Sequence, residues 1–316
     1  MGRFVVRRVG QMLVVMFAVS VLTFVIFQVM PGGDPAQRLA GRQPDPGQLE
    51  RIREDWGLND PVYVQYARTM GQVFSGDLIS YSTQQNVWDE LKGRIPRTFA
   101  LAIGAGIMWM FFATCIGLYT AVKAGRFADR SLTILALVGI SMPVFWVGAL
   151  MNYYLGFKWG LFPNGGYVPF FDDPWQWFYH LIMPWTALSL LFIGVYSRIL
   201  RSNVLDTINE DYVRTARAKG LSERRVLVRH VLRNSMIPVV TLWGLDFGAV
   251  IGGGAILTET VFDLQGVGQY AAESIGQLDV PPVLFITIFG AFFIVLLNTV
   301  VDILYAALDP RVRLSS

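Results

Sequence analysis

Seven Lys or Arg residues are concentrated in the thirty-residue segment NEDYVRTARAKGLSERRVLVRHVLRNSMIP, Asn209 to Pro238: Arg214, Arg217, Lys219, Arg224, Arg225, Arg229 and Arg233. Strongly apolar runs flank it on both sides. Its punctuation predicts two short helices broken by a glycine. Asn209 can accept a bond from the free N–H groups of a first turn, and Glu210 and Asp211 complement that turn's positive dipole end. Arg217 and Lys219 suit a last turn, Gly220 can take the left-handed cap, and after Leu221 comes Ser222, placed to cap a helix running toward Arg233. An ordered, polar helix-turn-helix of this kind does its chemistry by holding a partner.

Other chemistry-bearing residues are few. Asp246 and Asp302 fall inside apolar runs, where an ionisable group is expensive. Each either pairs with an arginine at the membrane edge, such as Arg198 or Arg201, or lines a polar cavity. Glycines 248, 252, 253 and 254 follow Asp246. Small residues permit close helix approach, the reading favoured for this run; the alternative is that Gly252 and Gly253 weaken the helix as a hinge and, with Asp246, line a translocation pathway. Cys115 is the single cysteine; it excludes a disulfide within the chain and reads as a small, buried, inert thiol. No phosphate-binding GxxxxGK[ST] and no HExxH occur, and Gly139, Ile140 and Ser141 are followed by Met142 and Pro143 where a nucleophile motif needs glycine. His180 and His230 lie on opposite sides of the membrane in the topology below and cannot share a metal. Enzymatic chemistry is not expected.

The elements that must position these residues are membrane spans. Of 316 residues, 53% are hydrophobic and only 16% charged, against about 25% charged in soluble domains. Six runs reach the length of about 20 residues that a bilayer core requires: roughly 9–30, 98–122, 131–156, 181–199, 237–259 and 283–307. The fourth is short and interrupted by Pro184 and Ser189. The first follows Arg3, Arg7 and Arg8 like a signal peptide, but no small-residue cleavage site follows it, and it reads as a retained helix.

Lys and Arg distribution sets the orientation. The N-terminus, the 123–130 and 198–233 connections and the C-terminus hold 17 of the 26. Both termini and the basic segment are therefore expected in the cytoplasm. The net charge of +3 reflects this bias and needs no nucleic-acid partner. The chain divides into 1–30 (N-terminus and first span), 31–97 (an extracytoplasmic helical insertion), 98–307 (spans two to six, with the cytoplasmic loop 200–236) and 308–316 (C-terminal tail). In the insertion, PGGDP at 31–35 stops the first helix. Helices are expected at 47–56, 62–74 and near 87–94, with Pro46 in a first turn and Gly76 and Asp77 in a turn. The outer segment 157–180, rich in Trp, Phe and Tyr, has the character of an interfacial aromatic belt.

The basic loop resembles the signature loop of bacterial ABC-importer permease subunits, and the chain is similar to the dipeptide/oligopeptide branch. Arg214 and Thr215 stand where the wider superfamily has Glu and Ala, while Ala216 and Gly220 match it. YVRTARAKGLS at 212–222 and HVLRNSMIP at 230–238 resemble the peptide branch's own form. So do GLNDPVYVQY at 57–66, GDL at 76–78, RIPRTFALA at 94–102, TETVFDLQGVGQ at 258–269 (with Gln265 for a usual proline) and DILYAALDPRVR at 302–313.

The resemblance implies an all-α polytopic permease of the type I importer kind, in a bacterial cell (inner) membrane. It would form half of a pathway with a homologous second permease subunit. Two cytoplasmic ATPases, which use ATP and Mg while this chain binds no cofactor, would grip a coupling helix of roughly 15 Å. A binding protein outside would deliver di- or oligopeptides, or in relatives nickel, glutathione or oligosaccharides. The residues so implicated in coupling are Glu210, Asp211, Arg214, Thr215, Ala216, Lys219, Gly220, Leu221 and Ser222. A secondary transporter would need inverted repeats, and none is evident between the halves. A channel or scaffold would leave the ordered loop without a purpose.

Overall fold

The computed structural model describes residues 2–29, 36, 46–55 and 57–308. Helix dominates, and the one strand-like pairing among these residues is an isolated bridge between Ile79 and Asn86. In chain order the helices are α1 (Gly2–Phe24, extended by a wider π turn, Val25–Val29), α2 (Pro46–Asp55), α3 (Val62–Ser75) and α4 (Val87–Val122). Then come α5 (Phe127–Ser141), α6 (Val144–Lys158), α7 (Pro174–Thr207) and α8 (Asp211–Ala218). The last four are α9 (Glu223–Gly254), α10 (Ile256–Val261), α11 (Val267–Gly276) and α12 (Val280–Leu308).

Five helices are long and apolar enough to cross a membrane: Val5–Val29, α4, α7, α9 and Val280–Ile303 within α12. The expected third span is not one rod. α5 and α6 meet at a 97° bend, because Pro143 excludes the helical conformation from Met142, which is extended at φ −91°, ψ 129°. The supposedly weak fourth span is instead one of the longest helices, 34 residues through Pro184. Asp173 starts it by accepting the backbone N–H groups of Trp175 and Gln176, both at 3.0 Å, with Pro174 in the first turn.

The expected short helix near 87–94 also has no separate end: it runs through Pro96 into the second span as α4. Asn86 caps it, accepting from Trp88 N–H at 2.8 Å. The helices expected at 47–56 and 62–74 are present as α2, beginning at Pro46, and α3, closed by Gly76 at φ +80°. PGGDP lies outside the described residues, as do Arg311 and Arg313.

The core sits where α4 lies along α7. Leu101, Ala102, Ala105 and Trp109 pack with Leu181, Leu188, Tyr196 and Leu200, all essentially buried. Gly104 makes room for the Trp185 ring, whose Nε1 donates to Ala100 O at 3.0 Å. Ser189, which looked like an interruption, donates to Ala105 O at 3.1 Å. The outward faces are apolar: Leu13, Phe17, Ile107, Phe111 and Leu135 are each more than 60% exposed, which suits a lipid surround and not water. Cys115 lies on such a face, exposed and not buried as expected.

Outside the spans, the 76–86 turn is tied to the start of α12. Asp279, 3% exposed, accepts Ser80 Oγ and Ser82 Oγ at 2.5 Å and Tyr81 N–H at 2.9 Å. The insertion is thus fastened to the last span.

Candidate coupling segment and the polar contacts of the bundle

Of the two short helices expected in the basic segment, one exists. α8 has eight residues, about 12 Å by rise per residue. The second continues into the membrane: Glu223–Arg225 leads through a π-helical stretch, Val226–Leu232, into the fifth span as one helix, α9.

The predicted caps hold only in part. Asn209 does not cap α8; its Nδ2 donates back to Leu205 O at 3.1 Å, and Glu210 stands at the cap position without a side-chain bond. Ser222 precedes α9 in extended conformation and likewise makes no side-chain cap. Gly220 does take the left-handed conformation, at φ +77°. Its N–H donates to Arg217 O at 2.9 Å and that of Leu221 to Ala216 O at 3.4 Å, the paired closing bonds of a Schellman end.

The faces of α8 are unequal. Val213 and Ala216, three residues apart, are buried against the helical core, 0% and 5% exposed, and Leu221 packs there too. Asp211, Tyr212, Arg214, Thr215, Arg217, Lys219 and Gly220 are exposed. Ala216 therefore seats α8 on its own membrane domain and is not on the face presented outward. Arg217 is held by Glu223 at 2.8 Å, and Thr215 Oγ1 donates to Asp211 O at 2.9 Å.

Inside the bundle both aspartates are partnered, though not by the arginines expected. Tyr196 donates to Asp246 Oδ2 at 2.6 Å, and Arg8 lies 3.2 Å from Asp302. Arg201 is committed elsewhere: its fork meets both oxygens of Asp129 at 2.8 Å, and Asp129 also accepts Gly125 N–H at 2.9 Å. This fork anchors the 123–130 connection to α7. The glycines divide by role. A Cβ at Gly252 would come within 2.9 Å of Gly290 O, and one at Gly248 within 3.4 Å of Ile294 Cα, so α9 and α12 touch backbone to backbone. Gly253, at φ +130°, breaks the helical path. Ser141 Oγ only donates to Leu137 O at 2.9 Å, and no group of His, Cys, Asp and Glu among the described residues could hold a metal.

One buried carboxylate was not anticipated. Glu259, 0% exposed on α10, accepts Thr98 Oγ1 at 2.6 Å and the N–H of Gln269, near the start of α11, at 2.9 Å. Burial pushes its carboxyl above the usual range, while the Thr98 hydroxyl and the Gln269 and Gly268 amides pull it back. The signal was the pair Gly266 and Gly268 in TETVFDLQGVGQ, since a Cβ at either would strike Glu259.

The described residues thus form a bundle of helices long and apolar enough to cross a membrane, with apolar outward faces and a short helix, polar on its exposed side, seated on it. The chain belongs to the binding-protein-dependent transport system inner membrane components. That family's model matches residues 113–314, and the model of its N-terminal part matches 1–102.

A putative peptide transport system permease protein of Brucella abortus is 38% identical over 314 residues, covering 99% of each chain. The glutathione transport system permease protein of Escherichia coli K12 is 36% identical over the same length, again with 99% of each covered. The chain is thus an ABC-importer permease of the branch that contains peptide and glutathione permeases. A solved methionine ABC transporter, MetNI, in an inward-facing form shares the fold at TM-score 0.54 and 14% identity, over 69% of this chain and 96% of that one.

Proposed function

We propose that the chain forms half of a transmembrane pathway for di- or oligopeptides and passes ATPase motion to its spans through α8. The cargo reading is favoured by the peptide permease relative; glutathione, itself a small peptide, falls within the same chemistry. The coupling reading rests on one observation above all: α8 is a short, firmly closed helix whose Val213 and Ala216 are buried in the membrane domain while Asp211, Arg214, Thr215 and Lys219 face outward. A force on the outer face passes through those buried contacts into α7 and α9. Rocking of the bundle between inward- and outward-open states follows from such a lever.

In this reading ATP and Mg are used by two cytoplasmic ATPase subunits. A homologous second permease completes the pathway, and a binding protein delivers cargo from outside. The positive-inside bias supports cytoplasmic termini, and the family's description as inner membrane components supports an inner-membrane location. Purification of the tagged chain from its native membrane under mild detergent tests the assembly. Two ATPase copies and one homologous permease per chain are expected, with ATP-dependent peptide uptake on reconstitution. Recovery of the chain alone, with uptake driven by an ion gradient, contradicts the proposal.

A further inference from the structure

Below the apolar part of α9 the chain encloses a cleft of about 540 Å³. Arg229, His230 and Arg233 line its polar end, and Ile237, Val240 and Val301 its apolar end. Residues 229, 233 and 237 recur every four positions and so share one stripe of the helix. Tyr212 of α8 completes the polar end; Asn234 Nδ2 donates to its hydroxyl at 2.7 Å, leaving the phenolic proton free to donate.

Among the described residues, no carboxylate lines this cleft. Arg201 and Arg217 each hold a carboxylate at 2.8 Å, whereas Arg229 and Arg233 are exposed and have no carboxylate or hydrogen-bond partner among the described residues. The polarity also changes sharply along the cleft. α9 passes from its Arg-rich start to a largely apolar stretch from Met236 to Leu245, in which Thr241 is the one hydroxyl-bearing residue, the kind of transition that marks the passage from headgroup to hydrocarbon. Thr241, also at the cleft, spends its hydroxyl on Ile237 O at 3.0 Å, so the apolar end offers no competing polar group.

We propose that this cleft is a binding site for an anionic phospholipid, its phosphate between Arg229, His230, Arg233 and the Tyr212 hydroxyl, and an acyl chain along Ile237, Val240 and Val301. Basic clefts between spans at the membrane boundary are suited to anionic headgroups, and two unpaired guanidinium groups give the phosphate its bidentate donors. Because Tyr212 belongs to α8, a bound lipid would bridge the coupling helix to α9 and α12. The inference depends on the proposed orientation only for the leaflet it names, the cytoplasmic one.

The test titrates a fluorescent phosphatidylglycerol into the purified complex in zwitterionic detergent. Near-stoichiometric saturable binding is expected. Arg229→Gln with Arg233→Gln should weaken it by about fivefold per arginine, roughly 25-fold together. Arg224→Gln with Arg225→Gln, which removes the same charge outside the cleft, should weaken it clearly less, because neither side chain lines the site. Arg229→Lys with Arg233→Lys, which keeps the charge but not the bidentate fork, should recover part of the affinity lost in the glutamine pair, showing that the glutamine pair failed by charge and not by misfolding. Equal weakening by the two glutamine pairs would reduce the site to diffuse surface charge. Full competition by inorganic phosphate would make it a simple anion site. Cross-linking of a cysteine at Val240 to the second permease in the assembled complex would make it a subunit interface. Any of these three overturns the proposal.

Discussion

Ala216 and its neighbour Thr215 lie on different faces of α8, one buried and one exposed, and the difference decides what each substitution does. Ala216 is 5% exposed and packs on the bundle; Thr215 is exposed. The loop pattern alone placed both at the partner surface, because a resemblance marks positions and not the faces they occupy. Ala216→Glu would bury an unpaired carboxylate, at a cost of order 3 kcal/mol. Thr215→Glu, on the solvent face, should stay within about 0.5 kcal/mol. Thermal unfolding of the purified chain should therefore separate the two variants clearly. Equal melting temperatures would show that α8 is not seated as described. A similar limit applied to Asp246 and Asp302. Their cost inside apolar runs was legible, but their partners Tyr196 and Arg8 come from elements brought together only by folding.

At the scale of elements, the spans were legible because about 20 apolar residues in a row leave few alternatives. The joints between them were not. Pro184 reads as an interruption and the element near 87–94 as separate from the second span, yet Pro184 and Pro96 both sit inside long helices, where neighbouring helices tolerate the lost bond. Pro143 bends the third span by 97°, and nothing in its local sequence distinguishes it from the other two. The glycines near the end of α9 were readable as close packing, and Gly252 against Gly290 is that contact. Gly290→Val would drive a side chain into the Gly252 backbone and should destabilise the α9–α12 pair by about 1–3 kcal/mol. Gly276→Val, where a Cβ meets nothing within 4 Å, serves as the comparison. Equal loss of folded protein in the two variants would remove the close-contact account.

For the whole molecule the proposed coupling role depends on orientation, since α8 could take up ATPase motion only from the cytoplasm. The Lys and Arg bias predicts that 31–97 lies outside and 200–236 inside. Cys115 is exposed on the bundle, so it must be replaced before labelling. In that background a cysteine at Ser75 should react with a membrane-impermeant thiol reagent on intact cells and one at Ser222 should not. The reverse pattern would invert the topology. The outer latches fit this view of the molecule: Asp279 fastens the insertion to α12, and Glu259 fastens α10 to α4 and α11. α8 is held differently, by Val213 and Ala216 packed on the bundle and by the Asn234–Tyr212 hydrogen bond.

Gly220 joins these scales, because the Schellman end of α8 sets the angle at which the lever meets α9. A Cβ there meets nothing within 4 Å, so a substitution acts through the backbone: φ +77° costs a β-branched residue about 1–2 kcal/mol. The decisive measurement is binding-protein-stimulated ATP hydrolysis and peptide uptake by the reconstituted complex carrying Gly220→Val. The account predicts a chain that inserts and melts nearly as before, with stimulation and uptake both lost or severely reduced. Normal stimulated hydrolysis and normal uptake in this variant would contradict the claim that α8 transmits the motion.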